Sequence, residues 1–292
     1  MTDAVLTRRH IGGLGDEAAP DLAGQVRIHD ALGFGFLELR SIAGTAVADI
    51  DPASARRYSD QITAAGLEVA CLASRIANWA RPISGPLQED LDELDRLATL
   101  APIFGCRTVR IMSYPNDGLT DRAWEAEAMR RLTALVERAA DRTLVLWHEN
   151  CAGWAGRDPR RAVALFSAID SPHLRALFDI GNPVAYGHDG LAYMEAVFPW
   201  IDHVHVKDAR SDGDTVTFTF PGEGDARLLE ILDRLWAGGY RGRISLEPHI
   251  GHIPHLRTST DAPALARGYR AYAERFVALL GDRLQAAGGP GP

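Results

Sequence analysis

The fold of this chain is constrained most strongly by a repeated alternation of short apolar runs with longer stretches of helical spacing. Eight runs have the composition of β-strands, and they span residues 4–8, 35–40, 68–75, 108–114, 143–149, 174–180, 202–207 and 243–248. Most repeats are about 30 residues long, a length typical of a strand followed by a helix. The alternation therefore predicts a parallel sheet covered by helices.

The segments between these runs carry helix signals. Asp51 and Pro52 form a cap and a first helical residue, and Gly66 follows the end of that helix. Thr120 opens another helix, and Asp225 and Gly238 are the expected cap and stop of a later one. Further helices are predicted within residues 87–105 and 262–284.

Eight strand–helix units predict a single (β/α)8 barrel, the TIM barrel. We expect one catalytic domain over residues 1–283, a β-hairpin at 215–220 inserted after strand 7, and a disordered tail at 284–292. The alternative is a doubly wound open sheet. The segment 10–17 offers "GGLG" after the first strand, but it lacks the GxGxxG spacing of that fold.

Composition limits the compartment and the partners. The net charge of −8 and the pI of about 5.7 argue against binding to nucleic acid or to an anionic membrane. The three cysteines form no CxxC pair and are expected to be reduced thiols. The N-terminus has no apolar signal region, and no apolar run approaches the length of a membrane span. We therefore expect a cytoplasmic protein.

The C-terminal ends of four consecutive predicted strands carry ionisable residues, and in a barrel these ends form the active site. They are Glu149, Asp179, His205 and Glu247. Three carboxylates and an imidazole at one barrel mouth would repel one another without a cation. The sequence therefore predicts one divalent metal ion. Oxygen-rich ligands with one nitrogen suit Mn²⁺ first, with Mg²⁺, Co²⁺ or Zn²⁺ as alternatives.

Several motifs resemble those of the sugar phosphate isomerase/epimerase superfamily, the xylose-isomerase-like barrels. The motifs are "GFGFLELRS", "LWHEN", "LFDIGN", "HVHVKD", "PGEGD" and "SLEPH". The resemblance covers about residues 4 to 280. It implies a metal held by the same four residues, Glu149, Asp179, His205 and Glu247.

The resemblance also implies chemistry at a carbon next to a carbonyl. A metal that chelates the carbonyl oxygen and a neighbouring hydroxyl stabilises the enediolate, and Glu149 and Glu247 would then remove and return the proton. The expected function is isomerisation or epimerisation of a sugar, cyclitol or related keto-polyol. The alternatives are a dehydratase of inosose or dehydroshikimate type and a barrel that only binds. Relatives of this kind are often homodimers or homotetramers.

The chain departs from the ketose 3-epimerase pattern at two positions. Asn182 replaces a histidine, and Ser211 replaces an arginine, with Arg210 one residue earlier. Both of the replaced groups contact substrate oxygens in those enzymes, so a simple free ketose is a doubtful substrate. Endonuclease IV, the remote alternative, needs the histidine for its extra zinc ions. Asn182 and the negative net charge both argue against that nuclease.

Lys207 is the only lysine among the 31 lysine and arginine residues. It follows His205 by two positions on the same strand face, so its side chain is expected to point toward the site. A buried lysine can lose its proton. We predict that Lys207 contacts the substrate oxygen that becomes the enolate or transfers a proton to it. A salt bridge to Asp208 or Glu247 is the structural alternative.

Further candidates for substrate contacts follow other strands. Polar or aromatic side chains on the catalytic side of the barrel are the predicted substrate-binding group: Asn182, Arg40, Arg75, Trp79, Trp154 and Arg210. Structural pairing of the arginines and packing of the tryptophans are the alternatives. His203 is expected to be a core histidine or to support a ligand, and neither His148 nor His249 is expected to bind the metal.

Overall fold

The computed structural model describes residues 6–213, 215–253, 258–259 and 261–284 of the 292-residue chain. Eight parallel strands form one sheet. They are β1 (Ile11–Gly13), β2 (Phe36–Leu39), β3 (Glu68–Ala73), β4 (Thr108–Ser113), β5 (Val145–Gly153), β6 (Leu174–Asp179), β7 (Ile201–Val206) and β8 (Ile244–Leu246).

The sheet is closed into a ring. Each strand from β2 to β8 pairs in parallel with its neighbours in the sequence, and β8 also pairs with β1. Between β1 and β2, the amide of Gly35 donates to the carbonyl oxygen of Ile11 at 2.9 Å, and Leu14 bridges to Glu38. The predicted TIM barrel is confirmed, and the C-terminal ends of its strands share one rim.

Ten α-helices within the described residues connect and cover the strands. They are α1 (Gly15–Ala18), α2 (Leu22–Ala31), α3 (Pro52–Ala64), α4 (Leu87–Leu100), α5 (Asp121–Asp141), α6 (Pro159–Ile169), α7 (Asn182–Ala185), α8 (Gly190–Val197), α9 (Leu228–Ala237) and α10 (Ala262–Leu280). The hydrophobic core lies between them and the sheet. Leu94 and Leu97 of α4, for example, are fully buried there.

The helix starts follow the sequence signals in most cases. The Asp51 carboxylate accepts hydrogen bonds from the amides of Ala53 and Ser54 at the start of α3. The Thr120 hydroxyl accepts from the amide of Ala123 at the start of α5. Both side chains satisfy amides that have no partner within the first helical turn.

The position of the first strand was wrong in the sequence prediction. Residues 4 and 5 lie outside the described residues, Arg8–His10 form a 3₁₀ turn, and the strand is Ile11–Gly13. Glycine is depleted in strands, so the pattern favoured the preceding residues. Here the barrel needs glycine, since a Cβ on Gly12 would lie 2.5 Å from the Phe36 carbonyl oxygen.

The predicted cap of α9 was also wrong, although its end was correct. The residue before the helix is Arg227, in a left-handed conformation with φ of 56°. Asp225 instead accepts a hydrogen bond from the amide of Ser211 at 3.2 Å. Gly238 ends the helix as predicted. The Asp225 carboxylate therefore binds the neighbouring hairpin and does not form the predicted cap of α9.

A hairpin after β7 is confirmed, although the predicted range 215–220 contains only its second strand. Asp208–Ser211 pairs antiparallel with Val216–Thr219. The Asp208 carboxylate then accepts hydrogen bonds from the amides of Gly222 at 2.8 Å and Gly224 at 3.1 Å. One buried side chain thus holds the "PGEGD" turn against the strand that leads out of the site.

Two further predictions concern the chain as a whole. The predicted tail lies outside the described residues except for Leu284. Among the described residues, no helix is both long enough and apolar enough to cross a lipid bilayer.

Candidate active site

The four predicted ligand residues meet at the C-terminal rim of the barrel. Glu149 lies in β5, Asp179 ends β6, His205 lies in β7, and Glu247 follows β8. One nitrogen or oxygen atom of each lies within 4.8 Å of the corresponding atom of the others, and all four side chains are buried. The ring of parallel strands, with consecutive residues in register, produces this convergence.

Three of these side chains present an atom that makes an ion-pair contact but no hydrogen bond with a described residue. The atoms are Oε2 of Glu149, Oδ2 of Asp179 and Nδ1 of His205, and their charged partners lie at 3.2, 3.0 and 3.4 Å. Buried polar atoms nearly always make hydrogen bonds, so a group of atoms that meet without them is typical of a binding site. Carboxylate oxygens with a single imidazole nitrogen also form a donor set that divalent cations accept. The residues therefore fit the metal ion that the sequence predicts.

Backbone contacts fix the orientation of Asp179. Its Oδ1 accepts hydrogen bonds from the amides of Gly181 at 2.9 Å and Asn182 at 2.8 Å, which open the short helix α7. The Asn150 side chain bridges to the Asp179 backbone, with its Nδ2 2.9 Å from the carbonyl oxygen. With Oδ1 occupied, only Oδ2 is directed toward the other ligand residues.

Lys207 contacts two of the four residues. Its Nζ lies 2.7 Å from Oε2 of Glu247 and 3.0 Å from Oδ2 of Asp179. Burial lowers the pKa of Lys207, but the carboxylates of Asp179, Glu247 and Glu149 outweigh it and hold the pKa well above its usual range. The sequence predicts that Lys207 contacts the substrate oxygen or transfers a proton to it, and this arrangement favours the ammonium form, which can donate. The alternative salt bridge to Glu247 is present.

The carboxylates respond in opposite directions. Burial raises the pKa of Asp179 to about 6, although the Lys207 ammonium partly offsets it. Burial also raises the pKa of Glu247, but Lys207 and neighbouring histidines outweigh burial and hold it well below its usual range. Glu247 therefore remains an anion in neutral solution, which suits a ligand of a cation or a proton acceptor.

A cavity of about 140 Å³ opens above these residues. Four of the predicted substrate contacts line it, namely Arg40, Trp79, Asn182 and Lys207. The Asn182 side chain donates to Glu149 at 3.2 Å and accepts from Lys207 at 3.3 Å. Tyr186 and Phe218 add aromatic surface to the same wall.

Three predicted substrate contacts lie elsewhere. Arg75 follows the end of β3, so strand alternation does not apply, and it pairs with Asp49 and Glu93. Trp154 is 2% exposed and packs in the hydrophobic core. Arg210 lies on the exposed hairpin and donates to the backbone of Glu223. Arg75 is thus paired and Trp154 packed, the contacts that their structural alternatives expect.

Arg40 holds one carboxylate of the site in place. Its guanidinium lies 2.9 Å from Asp16, 3.3 Å from Glu17 and 3.2 Å from Oε1 of Glu247. Since Arg40 contacts Oε1 of Glu247, the other oxygen, Oε2, is the one that contacts Lys207 and faces the remaining predicted ligands. Its expected position in the cavity is observed, with protein carboxylates as its partners.

The sequence analysis missed Arg110 in β4. This side chain is 2% exposed, and its Nη1 lies 3.2 Å from Oε2 of Glu149 and 3.8 Å from Oε1 of Glu247. The sequence does contain a signal for it, because Arg110 lies in the middle of the apolar run "TVRIMSY". A charged residue in a buried strand needs a partner of opposite charge, and in a barrel that partner lies in the interior.

His249 and Glu17 were also not recognised as a pair. Nδ1 of His249 lies 2.9 Å from one oxygen of Glu17, and its amide donates to the other at 2.8 Å. His249 lines the cavity and has a left-handed backbone, with φ of 54°. Glu17 is distant in sequence and lies in α1, so no spacing could indicate the pair.

Beneath the four residues lies a second, fully buried polar cluster. It consists of Glu38, His203 and Ser245, and it reaches His205 from below. Burial raises the pKa of Glu38, but His205 and His203 outweigh it and hold the pKa well below its usual range. His203 is therefore a buried partner of the site, as expected from the sequence.

Comparison with known proteins gives a family match over most of the chain. The family model for xylose isomerase-like TIM barrels matches residues 26–271. This range includes β2 to β8 and all four predicted ligand residues.

Curated proteins match over shorter segments. The chain is 26% identical over 143 residues to an inosose dehydratase from Lactiplantibacillus plantarum, covering 44% of this chain and 47% of that protein. It is 29% identical over 123 residues to a fructoselysine 3-epimerase from Escherichia coli O157:H7, covering 42% and 40%. The matches thus span less than half the length of these relatives.

Solved structures match the whole fold. A xylose isomerase-like TIM barrel protein from Mycobacterium smegmatis in complex with magnesium has a TM-score of 0.67 and 18% identity, covering 96% of this chain and 98% of that one. At this identity the match supports the fold alone.

Proposed function

Because the chain belongs to the xylose isomerase-like TIM barrel family, we propose that it is a divalent-metal-dependent isomerase or epimerase of a sugar, cyclitol or related keto-polyol. The observation that carries the proposal is the convergence of Glu149, Asp179, His205 and Glu247 at the barrel rim. The reaction removes a proton from the carbon next to a carbonyl and returns it to the other face or to the neighbouring carbon.

We propose Mn²⁺ as the metal, held by these four residues. Carboxylates with one imidazole are the ligands that Mn²⁺ and Mg²⁺ accept. The magnesium complex of the Mycobacterium smegmatis protein is consistent with a hard cation in this fold. When bound, such an ion supplies Lewis-acid polarisation of a carbonyl oxygen.

Glu149 and Glu247 are the proposed acid/base pair. They approach the cavity from β5 and from beyond β8, on different sides of the barrel mouth. Arg110 contacts both carboxylates, and Arg40 contacts Glu247. These buried cations fix the direction of both carboxylates, and a carboxylate placed in this way can accept a proton from a bound substrate.

The second candidate function is that of a dehydratase, in which loss of a β-hydroxyl follows the same proton removal. Two observations favour it. The inosose dehydratase is among the matching relatives, and the Glu17–His249 pair adds an imidazole at the cavity wall. An imidazole near a leaving hydroxyl can donate a proton to it.

A single assay separates the two candidates. Purified protein is incubated with Mn²⁺ in D₂O with a panel of keto-sugars and cyclitols, both phosphorylated and unphosphorylated, and the products are analysed by mass spectrometry. An isomerase or epimerase yields a product of unchanged heavy-atom composition that carries deuterium. A dehydratase yields a product lighter by one water.

Matched variants test the assignment of the site. Glu149→Gln and Glu247→Gln should each lower turnover by at least about 10²-fold, because each removes a proton acceptor. Glu127→Gln is the control and should retain turnover, because Glu127 lies in α5 and pairs with Arg130 and Arg131 rather than with a residue of the site. Full activity in either site variant would contradict the proposal.

A further inference from the structure

One carboxylate lies directly below the proposed metal ligand His205. Oε1 of Glu38 is 3.0 Å from Nε2 of His205 and 2.8 Å from Nε2 of His203, and the hydroxyl of Ser245 donates to the same oxygen. All four side chains have no exposed surface. The distances are those of hydrogen bonds to a charged acceptor.

This contact determines which nitrogen of His205 carries the hydrogen. Oε1 of Glu38 accepts the hydrogen of the Ser245 hydroxyl, so in this contact the oxygen is the acceptor and Nε2 of His205 is the donor. A histidine that binds a cation does so as the neutral imidazole, whose single N–H would then be on Nε2 and whose lone pair would be on Nδ1. Nδ1 is on the side of the other proposed ligands, 3.4 Å from Oε2 of Glu247.

We propose that Glu38 is a positioning residue that holds His205 in the Nε2–H tautomer, with its Nδ1 lone pair directed at the divalent cation. The inference rests on the proposed function, because it requires a cation among the four ligand residues. Carboxylates that accept the second N–H of a ligating histidine fix its ring and raise its basicity.

The neighbours of Glu38 support this role. Ser245 lies 2.7 Å from Nε2 of His203, and the His203 ring stacks on Trp147 with a centroid separation of 4.5 Å. Glu38 comes from β2, His203 and His205 from β7, and Ser245 from β8. Donors on two strands thus hold the carboxylate oxygen in one position beneath the ligand.

The test is a calorimetric titration of Mn²⁺ into protein stripped of metal with a chelator. Glu38→Gln should raise the dissociation constant by about 10–100-fold, the usual effect of losing such a partner. Glu93→Gln is the matched control, since Glu93 is also fully buried but pairs with Arg75 and Arg81 away from the site. It should bind Mn²⁺ within about twofold of the parent protein.

A purely structural role for Glu38 predicts a different result. Both variants would then lose thermal stability while their Mn²⁺ affinities stayed equal, and this outcome overturns the proposal. If the parent protein itself binds no Mn²⁺, the proposed function fails and the inference fails with it. Binding by the parent protein with unchanged affinity in Glu38→Gln contradicts the inference alone.

A second measurement needs no variant at position 38 and applies even if that variant does not fold. Long-range ¹H–¹⁵N spectra of the parent protein loaded with diamagnetic Mg²⁺ distinguish the two histidine tautomers, and His205→Gln assigns the signal. The Nε2–H form of His205 is expected. An Nδ1–H form would overturn the proposal.

Discussion

Three cationic side chains contact the carboxylates of the proposed metal site, and each has a different geometry. Lys207 contacts Asp179 and Oε2 of Glu247, Arg110 contacts Glu149, and Arg40 contacts Oε1 of Glu247. Planar guanidinium groups bind carboxylates at fixed angles, whereas an ammonium is a compact charge. Lys207, the only lysine of the sequence, thus places a compact ammonium between two of the proposed metal ligands, Asp179 and Glu247.

This geometry predicts the effect of changing Lys207. Lys207→Arg should lower turnover by about 10²-fold, because a guanidinium is too large for the space between Asp179 and Glu247 and cannot donate to the same substrate oxygen. Lys207→Met should lower turnover as much. It should not weaken Mn²⁺ binding, since it removes a positive charge that contacts two ligands. Steady-state kinetics and calorimetric titration measure both effects, and unchanged turnover in Lys207→Arg would refute the role.

At the scale of elements, the hairpin after β7 is fastened to the barrel by one side chain. Asp208 accepts hydrogen bonds from the amides of Ala209, Gly222, Gly224 and Ala226. These contacts connect the residue after Lys207 to the turn that precedes α9. The path of the chain next to the site thus depends on a carboxylate that contacts neither the cavity nor the ligands.

Removing this carboxylate should destabilise the protein. Asp208→Ala leaves four amides without this partner, including those of the buried residues Ala209 and Ala226, and we expect a loss of about 2–3 kcal/mol in the free energy of unfolding. Asp225→Ala, in the same turn, removes one exposed acceptor and should cost less than about 1 kcal/mol. Urea denaturation of the two variants provides the comparison. Equal losses would show that Asp208 does not fasten the turn.

The first strand gives a second prediction at this scale. Gly12→Ala should destabilise the protein by about 1–3 kcal/mol, because the added Cβ forces β1 away from β2. Gly268→Ala, within α10, is the matched change. Its Cβ would meet only Ile250 Cγ2 at 3.8 Å, and a helical alanine should add about 0.5–1 kcal/mol. Thermal denaturation should therefore show opposite shifts, and a neutral Gly12→Ala would contradict the close packing of β1.

For the molecule as a whole, the sequence predicted those features that depend on local pattern and on closure of the ring. The alternation of strands and helices gave the barrel, and strand ends brought Glu149 and Glu247 to one rim. The missed features depend on contacts between distant segments. The role of Arg110 depends on its contact with the buried Glu149, which lies on another strand. The position of β1 depends on the close approach of Gly12 to Phe36. Arg75 and Trp154 lie just after the ends of their strands, where the alternation of side chains no longer predicts which way a residue points.

Stability of the whole molecule should depend on pH through His29 of α2. This side chain is fully buried, with Nδ1 2.9 Å from the Gln25 carbonyl oxygen and Nε2 2.9 Å from the Tyr269 hydroxyl. Burial lowers the pKa of His29 from 6.5 to about 4. Between these values the unfolded chain binds a proton that the folded protein does not, so stability falls as the pH falls.

The contribution of His29 should be complete above about pH 6.5 and should decrease by about 3 kcal/mol as the pH approaches 4. Carboxylates titrate in the same range, and the His29→Gln variant separates their effect, because glutamine can keep hydrogen bonds but does not titrate. Urea denaturation of both proteins at pH 7, 5.5 and 4.5 gives the difference in unfolding free energy. That difference should shift in favour of the variant as the pH falls, whereas parallel pH profiles would show that His29 is protonated equally in the folded and unfolded chains.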